Sequence, residues 1–228
     1  LRRRVSTVVR RAAFDIGSGY TKMLVADVKD GAIVGRVTET EVKLAFKVDA
    51  QQSADGSLSA AIQAEGLQRF RDLATKAVAL GATEAAAIAT EVFRKAPNGD
   101  AFLSQLTRAT GVRIAAISQD AEARLRLATA EALHGGPSRT HAAAWDSGGG
   151  SFQITGRAGP QGDPVASVAV RAFTATLGTG PAFEELLVKV QGKAYGVTAT
   201  PCPVSPAEAE ALVAALRSRL APPVAWLR

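Results

Sequence analysis

Apolar residues along this chain change their spacing at clear boundaries, and the changes predict its elements. Ala12-Ala13-Phe14 is a short apolar run ending at Asp15-Ile16-Gly17-Ser18-Gly19, and Thr21 to Val28 reads as a strand. A second strand is predicted over Gly31–Phe46, joined to it by Lys29-Asp30-Gly31, whose Asp-Gly pair suits a tight hairpin. Residues 51–58 are polar and read as a loop. From Ser59 to Leu80, Leu67, Phe70, Ala74, Ala77 and Val78 recur at helical spacing until Gly81 stops the run. A short buried strand over Ala85–Thr90 follows, then a helix from the Pro97-Asn98-Gly99 turn to Thr110 and a strand over Val112–Ile117. A helix over Gln119–Leu133 carries Ala121, Leu125, Ala128 and Ala132 on one stripe.

His134-Gly135-Gly136-Pro137-Ser138 is the strongest linker signal, and the pattern restarts after it. Ala142 to Trp145 and Ser151 to Thr155 read as strands flanking Asp146-Ser147-Gly148-Gly149-Gly150-Ser151. A turn over Ala158–Asp163, a strand over Val165–Arg171 and a helix from about Gly180 to Val190 come next. Pro201–Pro206 precedes a helix carrying Ala209, Leu212, Val213, Leu216 and Leu220, and another strand would begin at Val224–Arg228. The order ββ(β)αβαβα and then βββα, cut short, is a weak repeat of architecture rather than of letters. It divides the chain into a basic tail (1–11), a first lobe (12–135) and an incomplete second lobe (136–228).

Two acid-led glycine turns, at Asp15 and at Asp146, occupy matching places in the two halves. Glycine lets such a turn adopt positive φ and approach a ligand closely, while successive N–H groups converge on an anion. The leading aspartate can hold a cation that neutralises a bound phosphate. One such turn is an ordinary hairpin; two on facing halves suggest a cleft that grips a phosphate chain from both sides.

With 228 residues, 47% of them hydrophobic, the chain can bury a real core in mixed α/β layers. The net charge of +6 looks like a nucleic-acid signal, yet five arginines lie in the first eleven residues, leaving a nearly neutral body. No specific nucleic-acid binding is therefore expected. The tail reads as an RNA- or membrane-surface contact, a targeting segment, a remnant of a longer chain, or simply a solvated end. A start at Leu1 rather than Met favours a processed or incomplete sequence. Cys202 alone excludes a disulfide framework and fits a reducing compartment. No run approaches the roughly 18 apolar residues a membrane span needs. Cytoplasmic location is expected, with organelle targeting by the tail left open. His134 and His141 have no Cys or Asp at ligand spacing and read as surface or hinge residues. There is no Walker-type or dinucleotide fingerprint.

Four stretches, in order, resemble the exopolyphosphatase/guanosine pentaphosphatase (Ppx/GppA) family of the superfamily of actin, sugar kinases and chaperone ATPases. They are Ala13-Phe14-Asp15-Ile16-Gly17-Ser18 with Leu24 to Val28; Ala89-Thr90 through Arg94 with Asn98 to Leu103; Ile117-Ser118 with Glu122-Ala123-Arg124-Leu125; and Asp146 to Ser151. The resemblance covers residues 12–156 well and 165–220 loosely. It implies a two-lobed actin-like (ribonuclease H-like) ATPase fold, with duplicated mixed-sheet βββαβαβα units and a truncated second lobe. It also implies hydrolysis of terminal phosphate from polyphosphate or guanosine pentaphosphate, and leaves a homodimer open.

On that resemblance Glu122 is the catalytic base, and Asp15, Asp146 and Gln153 hold Mg²⁺ or its waters. The phosphate-binding set is Gly17, Ser18, Gly19, Lys22, Arg94, Gly148, Gly149, Gly150 and Ser151. Glu122 falls in the first turn of its helix, where the dipole favours negative charge, and first-turn glutamates are common for that reason alone. Arg94 suits bidentate phosphate contact and Lys22 acts as a point charge, while both also read as solvated cations. Ser18, Ser151 and Thr90 either donate to phosphate or cap a turn. Gly178-Thr179-Gly180-Pro181 is similar to a third family turn, and a helix start with proline at its first position explains it equally well. The chain departs from the pattern at Gln153, where the family has Glu, at Gly19-Tyr20, where it has Asn-Ser, and at Ser147, where it has Ile. Gln153 removes one charge from the expected metal site. Two readings stand: a Mg²⁺-dependent hydrolase, or a sensor that binds polyphosphate or nucleotide without turnover. A kinase-like ATPase is weaker.

Overall fold

A computed structural model describes residues 7–133, 143–157, 170–195 and 198–220. The linker read at 134–138, both histidines, the turn at 158–163, most of the strand at 165–171 and the segment 224–228 lie outside the described residues. The chain divides into two units, Leu1–Ser118 and Gln119–Arg228.

In the first unit β1 (Val9–Ile16), β2 (Tyr20–Lys29) and β3 (Ala32–Lys43) form an antiparallel meander. Asp30 and Gly31 both take positive φ, 53° and 81°, as a tight hairpin turn requires. β4 (Glu84–Ala89) adds to the other edge of β1 in parallel, and β5 (Arg113–Ala116) adds to β4, giving the order β3-β2-β1-β4-β5. The helices are α1 (Phe46–Gln52), α2 (Ala60–Ala79), α3 (Glu91–Lys95) and α4 (Gly99–Thr110). Ser59 caps α2 by accepting from the Ile62 N–H at 3.2 Å, and Gly111 closes α4 with φ 72°. Inward residues of β1 and β2 meet an aromatic cluster: Phe14 with Phe70, and Phe46 with both Phe93 and Phe102. Gly66 of α2 is a packing requirement, because a Cβ there would lie 2.8 Å from the Phe46 ring.

The sequence reading differs here in four places. The second strand stops at Lys43, and Phe46 opens α1 and is buried in the core. α1 and α3 span fewer than two turns, too few for periodicity to show. The face of α2 is rotated: Ile62, Gly66, Phe70, Leu73 and Ala77 are buried while Val78 is 71% exposed. Finally, β1 begins at Val9, inside the segment read as a tail. Arg10 donates to both Asp27 carboxylate oxygens at 2.8 and 3.1 Å and to the Leu80 carbonyl at 2.9 Å, holding the Asp27 carboxyl below its ordinary range. Arg11 pairs with Glu84 at 2.7 Å. These two arginines are strand residues with partners.

The second unit comprises α5 (Gln119–Leu133), an antiparallel sheet β6 (Ala143–Ser147), β7 (Phe152–Arg157) and β8 (Val170–Ala175), α6 (Thr179–Glu184) running on as a π-helical turn over Glu185–Val190, and α7 (Pro206–Arg219). A Ser205/Glu208 capping box starts α7. Because α5 packs across β6, β7 and β8, the boundary falls after Ser118 rather than after residue 135. α5 has the expected length but another face inward. Glu122, Ala123 and Leu127 are buried, whereas Leu125, Ala128 and Ala132 of the expected stripe are exposed. Two ion pairs flank the buried Ala123 and Leu127 in this seam: Arg126 Nε lies 3.2 Å from Asp146, and Arg157 donates to both Glu131 oxygens at 2.6 and 3.1 Å. The opposite sheet face carries Trp145, Phe152, Ile154 and Phe173, with Trp145 75% exposed.

Arg157 holds the Glu131 carboxyl below its ordinary range by hydrogen bonding, against the opposing effect of burial. A depressed folded-state pKa contributes stability that is complete above the unfolded value and is lost as pH falls through the folded one. Glu131→Gln should therefore cost about 1 kcal/mol at pH 7. The gap from wild type should close as pH drops below Glu131's ordinary 4.5, measured by urea denaturation at pH 7, 5 and 3.

No helix among the described residues is long and apolar enough to cross a membrane.

Candidate functional site

Both glycine turns are built the same way. The Gly17 N–H donates to the Tyr20 carbonyl at 2.9 Å, and the Gly148 N–H, two residues after its own aspartate, donates to the Ser151 carbonyl at 2.8 Å. These two N–H groups are consumed in closing their hairpins. The carbonyls beyond them turn toward the start of a following helix. Ser18 and Gly19 accept from Lys47 and Leu44, at the head of α1, at 3.0 and 2.9 Å. Gly148, Gly149 and Gly150 accept from Thr179, Gly180 and Gly178, at the head of α6, at 2.9, 2.8 and 3.1 Å. Within one planar peptide the N–H points opposite to the C=O. The N–H groups of Gly19, and of Gly149, Gly150 and Ser151, are thereby aimed away from the helix that holds their carbonyls.

The glycines act through space and not, as expected, through positive φ. None of Gly17, Gly19, Gly148 and Gly149 is in the left-handed region. A Cβ on Gly17 would stand 3.0 Å from the Tyr20 carbonyl oxygen, whereas one on Gly19 or Gly149 would meet nothing within 4 Å. The tips of both turns are thus open to close approach.

In the first unit, Asp15 is the penultimate residue of β1 and faces Lys22 across the β1–β2 pair, and Lys22 faces Glu41 on β3. The register places Lys22 between two carboxylates. Arg94, on α3, donates to the Ile117 carbonyl. Thr90 is buried at the start of α3. A 720 Å³ cavity lies among Phe14, Ala74, Ala77, Glu84 and Val112, near the ends of β1 and β4 away from the turn, and contributes nothing to this site.

In the second unit, Asp146, Gln153 and Thr174 are directly opposed on β6, β7 and β8 and so share a face. This is the face beneath α5, as the Arg126–Asp146 and Arg157–Glu131 pairs require. Gln153 is 1% exposed; its Nε2 donates to Ser151 Oγ at 3.1 Å, and its buried Oε1 has no hydrogen-bond partner among the described residues. Glu122 is 8% exposed on the same helix as Arg126, one turn earlier.

This donor set can be tested against Mg²⁺. An orphaned amide oxygen is one a cation can use, but the carboxylate opposite it across the sheet, Asp146, is already matched by the Arg126 guanidinium at 3.2 Å. No cluster of three or more His, Cys, Asp or Glu placed for a metal occurs among the described residues. Mg²⁺ is held through one or two carboxylates with its waters, and here the charge of Asp146 is neutralised by Arg126. As they stand, Asp146 and Gln153 do not fit a resident divalent ion, contrary to the expectation for them; Asp15 lies in the other unit.

Two features escaped the sequence reading. Arg126 carries no motif of its own, and only its i,i+4 spacing from Glu122 hinted at a shared role. The Gly178-Thr179-Gly180 stretch was readable as a third turn or as a helix start, but not as docked on the second turn; a Cβ on Gly178 would lie 2.3 Å from the Gly148 oxygen and 2.6 Å from the Ser151 nitrogen, so glycine is needed for it to dock there.

A sequence model of the Ppx/GppA phosphatase family matches residues 24–171. Among solved structures, a Ppx/GppA enzyme of Aquifex aeolicus is similar at 20% identity and TM-score 0.67, with 93% of this chain and 63% of that one covered. An exopolyphosphatase-like protein is similar at 18% identity and TM-score 0.69, covering 93% and 60%. An exopolyphosphatase from Cytophaga hutchinsonii is similar at 15% identity and TM-score 0.60, covering 74% and 51%. The chain thus spans under two thirds of the length of these proteins. The likeness shows the fold, a mixed α/β arrangement of actin-like type. Matched over more than half of its residues, the chain belongs to the Ppx/GppA phosphatase family.

Proposed function

We propose that this chain is a phosphohydrolase that releases terminal phosphate from inorganic polyphosphate or guanosine pentaphosphate. The observation that carries the reading is the shared construction of the two turns, whose carbonyls are bonded back to a helix start and whose N–H groups face the other way. Such fixed donors stabilise charge on a transferring phosphoryl group without reorganisation. Water attacks the terminal phosphorus, its proton passes to the Glu122 carboxylate, and the P–O bond to the rest of the chain breaks, leaving a shortened phosphate anion. Ser151, which ends the second turn and whose hydroxyl accepts from Gln153, has a hydroxyl proton to donate to a phosphate oxygen.

A second reading, a module that binds the same ligands without turnover, is favoured by one observation: Gln153, neutral and buried, cannot add the charge an acid would supply there. Purified protein given polyphosphate or guanosine pentaphosphate should release inorganic phosphate in proportion to enzyme. Saturable binding with no release under any metal condition would support the module and discard the hydrolase.

A further inference from the structure

We infer that Arg126 occupies the cation position of this site, so that its guanidinium, and not a divalent ion, meets the phosphate chain. The inference rests on the proposed phosphate site and goes beyond it by naming the cation. Asp146 leads the second turn, and the charge beside it is Arg126 Nε at 3.2 Å. Its cross-strand neighbour Gln153 brings an oxygen but no second negative charge. Glu122 and Arg126 are separated by one helical turn and share a side of α5, so base and cation come from one rigid element.

The pair is not a packing device. Arg126 is 39% and Asp146 28% exposed in their side chains, and ion pairs that open contribute little to stability. A guanidinium this exposed can exchange the carboxylate for a phosphate oxygen pair, which its planar fork matches bidentately. Asp146 then restrains Arg126 between binding events. Capture of the anion should consequently be metal-independent.

The test uses the 228-residue chain and two probes, tripolyphosphate and Mn²⁺ alone. Calorimetry should show tripolyphosphate binding equally in EDTA and in Mg²⁺. Arg126→Gln should weaken it about tenfold or more, with Arg126→Lys retaining part of the affinity. Mn²⁺ followed by its electron paramagnetic resonance should be ignored by the wild type. It should bind Arg126→Gln, and bind more tightly when Gln153→Glu is added. Circular dichroism of each variant separates these effects from unfolding. Wild-type protein that binds Mn²⁺, and takes tripolyphosphate only with metal, overturns the inference while leaving the proposed function intact. Tripolyphosphate bound by no form under any condition removes the function, and the inference with it.

Discussion

Glu122→Gln is expected to cut phosphate release by about 10²–10⁴-fold, the range typical for loss of a general base. The amide has nearly the same shape and keeps the helix start intact, but it cannot take the proton of the attacking water. Glu122 is 8% exposed on the helix whose next turn carries Arg126, so the change removes basicity without opening a cavity. Tripolyphosphate binding by calorimetry should survive the substitution, which separates a lost base from a lost fold. Equal release by the two forms would strip Glu122 of this role.

Gly178→Ala is the second large effect expected. Its Cβ would meet the Gly148 oxygen at 2.3 Å, the Ser151 nitrogen at 2.6 Å and the Gly150 carbonyl carbon at 2.8 Å, all of them backbone. Backbone cannot rotate aside as a side chain can, so the Gly178–Gly180 stretch must lift from the turn and release three hydrogen bonds. Overpacking costs about 1–3 kcal/mol, and a contact this short belongs at the upper end. Tripolyphosphate affinity should collapse with it, because the turn's N–H groups are aimed by the carbonyl bonds being lost. Gly149→Ala is the control: its Cβ meets nothing within 4 Å, so the fold should hold. Hydrogen exchange at Thr179 and Gly180 reads the difference directly, and unchanged protection in Gly178→Ala would refute the account.

The sequence made legible what depends on punctuation and on period over many residues. Asp30-Gly31 located a hairpin, Ser59 and Gly81 bracketed α2, and Gln119 marked the start of α5. Orientation was harder. Alanine-rich stripes such as Ala121, Ala128 and Ala132 look like a buried face because alanine is apolar, yet alanine gains little from burial, and the larger Leu127 turns inward with Glu122 and Ala123 instead. The turns were readable as glycine hairpins from their letters alone. Which N–H groups they offer was not, because that depends on Leu44, Lys47 and the Gly178–Gly180 stretch, which only the fold brings to them. Arg126 stayed invisible for the same reason: its partner is twenty residues away on a strand whose register a linear pattern does not set.

Trp145 has a use that follows from strand alternation. It precedes Asp146 on β6 and therefore projects from the opposite side of the sheet, 75% open to water beside Phe152. Its indole emission should lie at long wavelength and be readily quenched by iodide. Whatever settles on that aromatic surface, a detergent, a dye or another polypeptide, should shift the emission to the blue, giving a label-free optical reporter on the reverse side of the second glycine turn.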